Sequence, residues 1–343
     1  MTVLELRAAT PADDPGIAAC IGAAFPDNPK SRLDVLTWQY RDNPFGSSPS
    51  WVWDDDGRIV AHYSAYPVPY LLDGAPARAG FAVDAAVAPS HQGRGLFTPL
   101  ARVLYEDCAT KGMPIAVCYA SNPIAMRGVA SAGVHWFPRL RTVVLAVDGA
   151  WLGHRFHLPR SIAGAACRVA FRLGSGPSAV EVEAPPAGID ALWARTVERS
   201  AIRNGVDRGD AWWHWRYAAS PLGPYRYLEH RRDGALVAAA AVTVREDFGG
   251  RFAYLLEVLA DDADGVKALL RAIAAGSDDL AGVATVAVHD GPLVRLLTHA
   301  GMRTLPRRLE PKGAWYGAVD TTGRHPVPAS GSWHIGWGDL DHL

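Results

Sequence analysis

A short glycine-containing loop has the residue types of an anion-binding site. The apolar run at 81–88 predicts a strand, and Gln92-Gly93-Arg94-Gly95-Leu96-Phe97 follows it before a predicted helix. Glycines let a phosphate approach the backbone, and Arg94 can add a charge-assisted hydrogen bond. N–H groups at the beginning of the helix would complete the site, because they and the helix dipole attract anions. The pattern predicts a phosphate cradle, although the glycine pair alone also fits a tight strand-to-helix turn without a ligand.

The helix after the loop is expected to begin near Thr98. The Thr98 side chain suits an N-cap, and Pro99 is favoured in the first turn of a helix. A second apolar run at 115–120 predicts another strand, followed by Ser121-Asn122-Pro123 and a helix of small residues at 124–132. The loop therefore lies between a strand and a helix that are followed by a second strand and helix.

These two segments together resemble the motifs of the GNAT acetyltransferases. The pyrophosphate motif of that family reads Gln/Arg-x-x-Gly-x-Gly/Ala after a strand ending in Val-x-Pro, and is similar to Val87-Ala88-Pro89 followed by the loop at 92–97. A later family motif has an asparagine, an alanine three residues on and a glycine eleven residues on, which Asn122, Ala125 and Gly133 match. The resemblance extends over residues 1–146 and is closest to a branch whose loop ends Gly-Ile/Leu-Phe.

The resemblance implies that acetyl-CoA, or another acyl-CoA, is the co-substrate and that no metal is needed. In the family, pantetheine lies along the first strand, the pyrophosphate lies over the loop, and the asparagine contacts the coenzyme near the second strand. Carried over by position, the coenzyme-binding residues are Ala85, Ala86, Val87, Gln92, Gly93, Arg94, Gly95, Leu96, Phe97, Thr98, Asn122 and Ala125.

Two positions depart from the family pattern. Phe97 stands where most members have glycine or alanine, so its ring should point away from the phosphate. The family often has a tyrosine general acid seven residues after the asparagine, where this sequence has Val129. Another group must then protonate the departing thiolate, if any protein group does. Tyr119, at the end of the second strand, is the candidate.

Asp84 is the ionisable residue inside the first predicted strand. A carboxylate there could remove a proton from an amine, directly or through a water, and partial burial could raise its pKa toward the useful range. The alternative is a structural carboxylate that caps a turn or pairs with the substrate, and the sequence favours neither role. His91, beside the loop, is expected to pack against the loop or face solvent.

The chain also contains an internal repeat. Three blocks of the first half recur 177 positions later: Trp38-Gln39-Tyr40 as Trp215-Arg216-Tyr217, Pro44 as Pro221, and Asp56-Gly57 as Asp233-Gly234. Because Asp-Gly before an apolar run predicts a hairpin turn, each half carries a helix, a loop and a strand–turn–strand unit. Three matching blocks in one register favour duplication over chance.

We therefore predict an α/β protein of two tandem GNAT-like domains. The resemblance implies that each is a mixed, mostly antiparallel sheet with splayed central parallel strands, flanked by helices. A chain of 343 residues exceeds the size at which single cores usually stop growing, which also favours two domains. Glycine and proline punctuation at 148–186 indicates a division near residue 150. Residues 1–150 would hold the acyl-CoA site, and residues 151–343 would be a degenerate copy with a structural or substrate-positioning role.

The second half has lost the features of a phosphate site. Its equivalent strand, at 252–259, is followed by Asp261, Asp262 and Asp264, whose carboxylates would repel a polyanionic coenzyme. We expect a single coenzyme site, in the first half. Tryptophans clustered at 212–215 and 333–337 could stack on a sugar or nucleobase, but such rings are more often packed in cores. The tail at 333–341 resembles the ends of tandem GNAT proteins of modified-sugar or natural-product pathways, which implies an aminosugar-like acceptor.

Composition narrows the partners and the compartment. The net charge of −1 gives no attraction to nucleic acid or to an anionic membrane. No apolar run reaches the roughly 18 residues of a membrane helix, and the N-terminus lacks the blocks of a signal peptide. The four cysteines show no zinc-type pairing and are expected to be buried free thiols of a cytoplasmic protein.

The leading hypothesis is an enzyme that transfers an acyl group, most simply acetyl, from coenzyme A to a primary amine of a small molecule. One alternative is a non-catalytic acyl-CoA-binding or scaffold protein, which Val129 and the degenerate second half favour. Another is an aminoacyl-tRNA-dependent transferase, which the near-neutral charge and the intact loop disfavour.

Overall fold

The computed structural model describes residues 4–120, 123–170, 176–276, 279–310 and 314–340. The chain forms two compact units. Unit 1 consists of Met1–Arg139, Ala219–Leu222 and Lys312–Pro328. Unit 2 consists of Leu140–Ala218, Gly223–Pro311 and Ala329–Leu343.

The strands of both units follow one another along the chain as β1 (Leu4–Ala8), β2 (Ser50–Asp55), β3 (Arg58–Leu72), β4 (Ala75–Val87), β5 (Ile115–Ala120), β6 (His135–Trp136), β7 (Arg141–Ala146), β8 (Val180–Val182), β9 (Gly205–Val206), β10 (Arg226–Arg232), β11 (Ala235–Asp247), β12 (Gly250–Ala260), β13 (Leu280–Ala287), β14 (Arg303–Thr304) and β15 (Trp315–Asp320). The α-helices are α1 (Asp14–Ala24), α2 (Leu33–Tyr40), α3 (Phe97–Thr110), α4 (Pro123–Ala130), α5 (Gly149–Phe156), α6 (Arg160–Ala170), α7 (Ile189–Ser200), α8 (Asp210–Trp213), α9 (Ala263–Ala275) and α10 (Pro292–His299).

The sheet of unit 1 runs in the order β1-β2-β3-β4-β5-β15-β6. Its neighbours are antiparallel except β4 and β5, which are parallel. Leu100 and Leu104 of α3 are fully buried in a core with small side chains of β3, β4 and β5. Each such leucine contributes roughly 2 kcal/mol through burial, so this packing fixes α3 against the sheet.

The sheet of unit 2 runs in the order β14-β7-β13-β12-β11-β10-β8, with β12 and β13 as its parallel pair. Leu269 and Leu270 of α9 and Leu297 of α10 are buried in its core. Both sheets are thus mixed, mostly antiparallel and flanked by helices, which confirms the predicted fold class.

The repeated Asp-Gly pairs form the predicted hairpin turns. Asp56 and Gly57 join β2 to β3 with φ of 54° and 84°, and Asp233 and Gly234 join β10 to β11 with φ of 50° and 79°. Left-handed backbone at both central residues is the geometry of a tight hairpin that matches strand twist. The repeat seen in the sequence is therefore also a repeat of local structure.

Strand pairing, rather than a single division near residue 150, decides the composition of the units. β7 pairs with β13 and β14 in unit 2, although it precedes residue 150. β15 pairs with β5 and β6 in unit 1, although it lies near the end of the chain. These partners are distant in sequence, so composition near residue 150 carried no sign of them.

The state of the four cysteines agrees with the prediction. Cys20, Cys108, Cys118 and Cys167 are buried and free, as predicted. No helix in the described ranges is long and apolar enough to cross a membrane. Within the same ranges there is no group of three or more His, Cys, Asp or Glu side chains that could hold a metal ion.

Candidate active site

The predicted phosphate loop is an exposed turn with left-handed backbone. Gly93 and Gly95 have φ of 77° and 74°, which other residues adopt only with strain. No atom lies within 4 Å of the position where either Cβ would stand. Backbone conformation, rather than lack of space, therefore requires glycine, and the turn is open on its outer side.

A buried and a partly buried side chain, His91 and Trp53, anchor the ends of this loop. His91 lies between Ser90 Oγ at 2.9 Å and Asp55 Oδ2 at 3.1 Å. The indole N–H of Trp53 donates to the carbonyl of Leu96 at 2.9 Å. His91 thus packs at the loop, one of its two predicted placements, and the turn is held at both ends.

The prediction that Thr98 caps the following helix is wrong. α3 begins at Phe97, and its N-cap residue, Leu96, is itself helical and makes no side-chain cap hydrogen bond. The Thr98 hydroxyl instead contacts Ser131 Oγ at 3.0 Å. Because the first N–H groups of a helix have no partner within it, this uncapped end leaves donors for an anion.

The ring of Phe97 points away from the loop, as predicted. Its centroid lies 5.2 Å from that of Tyr63, a buried core residue. A Cβ added at Gly128 would stand 3.1 Å from the Phe97 ring, so the ring packs closely against this glycine. The Phe97 ring therefore does not cover the backbone N–H group of Phe97 at the start of the helix.

Side chains around the loop contribute positive charge. Arg94 and Arg102 are exposed and make no hydrogen bond or ion pair with the residues that the structure describes. The Gln92 amide donates to the carbonyl of Val87 at 3.1 Å, so this side chain braces the end of β4. The guanidinium groups of Arg94 and Arg102 are therefore available to an anion, whereas the Gln92 amide already donates to a backbone carbonyl.

The parallel strands of unit 1 splay apart, as predicted. β4 pairs with β5 only from Ala79 to Ala82, opposite Ile115 to Cys118. Beyond this point β4 continues to Val87 alongside β3, and β5 continues alongside β15. Ala85, Ala86 and Val87 therefore have an edge toward β5 that carries no strand partner among the described residues. An extended ligand could add to this edge by backbone hydrogen bonds.

Asp84 lies at the base of the splay, with its side chain only 2 % exposed. Its carboxylate accepts hydrogen bonds from the Gln39 amide at 2.8 Å and from the Tyr40 hydroxyl. Lys30 Nζ lies 3.7 Å from the other carboxylate oxygen. Burial, followed by the Asp84 charge, raises the pKa of Tyr40 well above its usual range, so the phenol keeps the proton that it donates.

The backbone of Asp84 is also fixed. Its φ of 56° is left-handed, and Asp84 and Ala85 together face the single residue Tyr63, which defines a β-bulge in β4. His62 Nδ1 contacts the Asp84 carbonyl and His62 Nε2 contacts Ser50 Oγ, each at 3.0 Å. Burial lowers the pKa of His62, so the neutral ring donates to the carbonyl and accepts from the hydroxyl.

The second strand supplies the candidate acid. Tyr119 on β5 is half-buried, and burial raises its pKa to about 12. Val129 on α4 is buried in the core. Ala125 lies within α4, and Asn122 lies outside the described residues.

In unit 2 the helix that follows β12 begins with a side-chain cap. Asp262 caps α9 by accepting a hydrogen bond from the Gly265 N–H at 2.8 Å. Arg232 pairs with the same carboxylate at 2.6 Å and, as the main cause, lowers the pKa of Asp262 to about 2. Asp261 is paired with Arg195 at 3.0 Å. The carboxylates of Asp261 and Asp262 thus occupy the helix N–H group and the guanidinium groups that an anion would otherwise bind.

The tryptophans of unit 2 are mainly core residues, as predicted. Trp212, Trp213 and Trp333 are among the largest fully buried side chains of the described chain. Trp337 lines an open apolar cavity, which is also bounded by other aromatic residues. They are Trp151, Phe156, Phe248, Phe252 and Tyr254.

Comparison with known proteins agrees with this geometry. Residues 5–128 match the family model described as an acetyltransferase (GNAT) domain. No curated protein sequence matches the chain.

Three solved structures with similar folds are an Anabaena variabilis GCN5-related N-acetyltransferase, an Enterococcus faecalis conserved protein of unknown function described as a probable N-acyltransferase, and a Kribbella flavida GCN5-related N-acetyltransferase. The first has 12 % identity and a TM-score of 0.66, with 94 % of this chain and 74 % of that chain covered. The second has 12 % identity and a TM-score of 0.64, with coverage of 93 % and 73 %. The third has 13 % identity and a TM-score of 0.60, with coverage of 92 % and 71 %.

Identities this low establish the likeness of fold alone. The family match covers the strands and helices that build the loop and the splayed edge. Residues 5–128 are thus similar to a GNAT acetyltransferase domain, and the fold of the chain is similar to that of GNAT N-acetyltransferases.

Proposed function

We propose that this chain is an acyl-CoA-dependent N-acyltransferase of the tandem-domain type, most simply an N-acetyltransferase, acting in the cytoplasm on a primary amine of a small molecule. One observation carries the proposal. The uncapped beginning of α3, behind two left-handed glycines, lies at the end of a strand whose edge is open. An acyl-CoA needs both features, because it joins a pyrophosphate to an extended pantetheine arm.

In this proposal the coenzyme is held mainly by backbone. N–H groups from Gly93 to Thr98 would bind the pyrophosphate, and the exposed guanidinium of Arg94 would add a charge-assisted hydrogen bond. The open edge at 85–87 would pair with the amides of pantetheine. Asn122 and Ala125 would also contact the coenzyme, because they match the corresponding positions of the family motif.

The reaction would be direct attack in a complex of both substrates. The amine nitrogen forms a bond to the thioester carbonyl carbon, the carbon–sulfur bond breaks, and one proton leaves the nitrogen while the coenzyme thiolate gains one. Asp84 is the candidate for the first proton, and Tyr119 is the candidate for assisting the sulfur. With a pKa of about 12, full proton transfer from Tyr119 to a thiolate of ordinary basicity is roughly 5 kcal/mol uphill. Tyr119 is better suited to donate a hydrogen bond while water supplies the proton.

The acceptor is proposed to be aminosugar-like or a natural-product intermediate, which rests on the resemblance of the tail at 333–341. Unit 2 would have a structural or substrate-positioning role, and its aromatic cavity favours some contact with a ligand. A non-catalytic acyl-CoA-binding protein is the second candidate, because Val129 replaces the usual acid.

Turnover distinguishes the two candidates. The purified chain is incubated with acetyl-CoA and a panel of amines and aminosugars, and free thiol and acetylated product are measured. Acetylation of a primary amine supports the enzyme. Coenzyme binding by calorimetry without product from any amine supports the binding protein.

A further inference from the structure

The hydroxyl–carboxylate contact at Asp84 recurs in unit 2. There the Tyr217 hydroxyl donates to Glu257 Oε2 at 3.2 Å, as the Tyr40 hydroxyl donates to Asp84 in unit 1. Tyr40 and Tyr217 each end the repeated Trp-x-Tyr block, so they are equivalent by sequence. The question is whether the two carboxylates are equivalent as well.

The pairing of the strands shows that Asp84 and Glu257 occupy equivalent positions. Ala61 pairs with Val87 in unit 1, and Ala238, which lies 177 positions after Ala61, pairs with Ala260 in unit 2. Val87 and Ala260 therefore occupy equivalent positions, and in each unit the carboxylate lies three residues before that position. A constant offset does not align the carboxylates, because the paired strands are shorter in unit 2: β3 and β4 have 15 and 13 residues, whereas β11 and β12 have 13 and 11.

Each carboxylate lies beside a β-bulge. In β4, Asp84 and Ala85 together face Tyr63. In β12, Leu256 is the extra residue, directly before Glu257. A bulge bends its strand and needs support to persist, so the same side chains at both bulges indicate a shared structural task.

A buried cation also accompanies each carboxylate. Lys30 Nζ lies 3.7 Å from Asp84, and Arg208 Nε donates to Glu257 at 2.6 Å. The exposure of these four side chains does not exceed 7 %. Since a buried charge without a partner is strongly destabilising, each cation and carboxylate hold one another in place.

Unit 2 keeps this arrangement although Asp262 fills the place where phosphates would bind. A carboxylate used only for proton transfer has no task in such a unit, whereas one that fixes a bulge is needed in both. In unit 1, Gln39 and Tyr40 already donate to one oxygen of Asp84, and Lys30 lies beside the other. With only 2 % of its side chain exposed, Asp84 is also out of reach of a substrate amine in this arrangement.

We infer that Asp84 is a positioning residue rather than the base. Together with Lys30, Gln39 and Tyr40 it forms a clamp that holds the bulge of β4 and aims the open edge at 85–87 toward the coenzyme. Tyr217, Glu257 and Arg208 form the corresponding clamp of unit 2. The part of this inference that concerns the coenzyme rests on the proposed function. Proton removal from the amine then falls to water.

A matched pair of variants tests the clamp. Tyr40→Phe and Tyr217→Phe each remove one buried hydroxyl from a carboxylate, and both should lower the unfolding temperature. Only Tyr40→Phe should weaken acetyl-CoA binding, by about 5–20-fold in calorimetry, because a hydrogen bond to a charged group is lost next to the binding edge. Equal weakening by both variants, or none by Tyr40→Phe, would overturn the inference.

Asp84→Asn separates positioning from base catalysis. The amide keeps the size and one acceptor oxygen, so we expect the KM for acetyl-CoA to rise while the pH profile of kcat keeps its shape. A fall in kcat of about 10²–10⁴-fold at unchanged KM, shrinking as pH rises, would show a base and contradict the inference. If the wild type binds acetyl-CoA but acetylates no amine, the proposed function fails, and calorimetry on Tyr40→Phe still decides the clamp. A wild type that binds no coenzyme contradicts both.

Discussion

At the level of single residues, Gly95 is required for its backbone conformation. Its φ of 74° is left-handed and its surroundings are empty, so an added methyl group meets no atom within 4 Å. Gly234, in the hairpin between β10 and β11, has a φ of 79° and equally open surroundings. The two glycines form a matched pair, one in the proposed coenzyme site and one outside it.

We predict that Gly95→Ala and Gly234→Ala each destabilise the chain by about 1–2 kcal/mol, the usual cost of a left-handed non-glycine residue. Only Gly95→Ala should also weaken acetyl-CoA binding, because relaxation of the turn moves the N–H groups that face the pyrophosphate. Unfolding in urea and calorimetry measure the two effects. Unchanged coenzyme affinity in Gly95→Ala would show that the turn does not hold phosphate.

His62 predicts how stability depends on pH. Burial lowers its pKa in the folded chain below the ordinary value of 6.5, so the folded state binds fewer protons than the unfolded state. The contribution of His62 is complete above about pH 6.5 and is lost as pH falls below that value. Burial lowers the pKa of His334 in the same direction.

We therefore expect the unfolding temperature of the wild type to fall between about pH 7 and about pH 5. His62→Gln should show a smaller fall, since it cannot take up a proton, while His334 continues to contribute. Differential scanning calorimetry at matched ionic strength measures both slopes. Parallel slopes for the wild type and the variant would contradict this account of His62.

At the level of elements, the beginnings of α3 and α9 are the basis for proposing an anion site in unit 1 and none in unit 2. α3 has no side-chain cap, whereas the carboxylate of Asp262 caps α9 and pairs with Arg232. The first N–H groups of α9 bind the Asp262 side chain, whereas the first N–H groups of α3 bind no capping side chain of the described residues and could bind a ligand. The difference resides in a few residues at the end of equivalent strands.

Asp262→Ala should cost about 1 kcal/mol of stability through loss of the cap. It should leave acetyl-CoA affinity unchanged, because the coenzyme site lies in unit 1. Urea unfolding and calorimetry on the same preparation measure both quantities. If Asp262→Ala weakened acetyl-CoA binding as much as a variant of the loop at 92–97 does, the coenzyme site would lie in unit 2, which contradicts this account.

The sequence was informative where local rules decide the structure. The Asp-Gly hairpin turns follow from the geometry of a few neighbouring residues. The N-cap of α3 was placed two residues late, at Thr98 rather than Leu96, because Thr98 is a good cap by type but bonds to Ser131 instead. The partners of Asp84 come from a helix and a turn more than 40 positions earlier, so no local rule could identify them.

At the level of the whole molecule, the chain consists of two units built from discontinuous segments. The repeated blocks were visible in the sequence, but the assignment of β7 and β15 depends on pairing between distant strands. Each unit keeps a clamped bulge and a splayed parallel pair. Unit 1 alone combines them with an open, uncapped loop, which is why we assign a single coenzyme site to the chain.

The stoichiometry of coenzyme binding tests this central claim most directly. Isothermal titration of the full chain with acetyl-CoA should give one site per chain. Gly95→Glu should abolish it, because a carboxylate would face the pyrophosphate and the backbone would be strained. Two equivalent sites, or a single site that survives Gly95→Glu but is lost when the α9 turn at 261–264 is changed, would contradict the account.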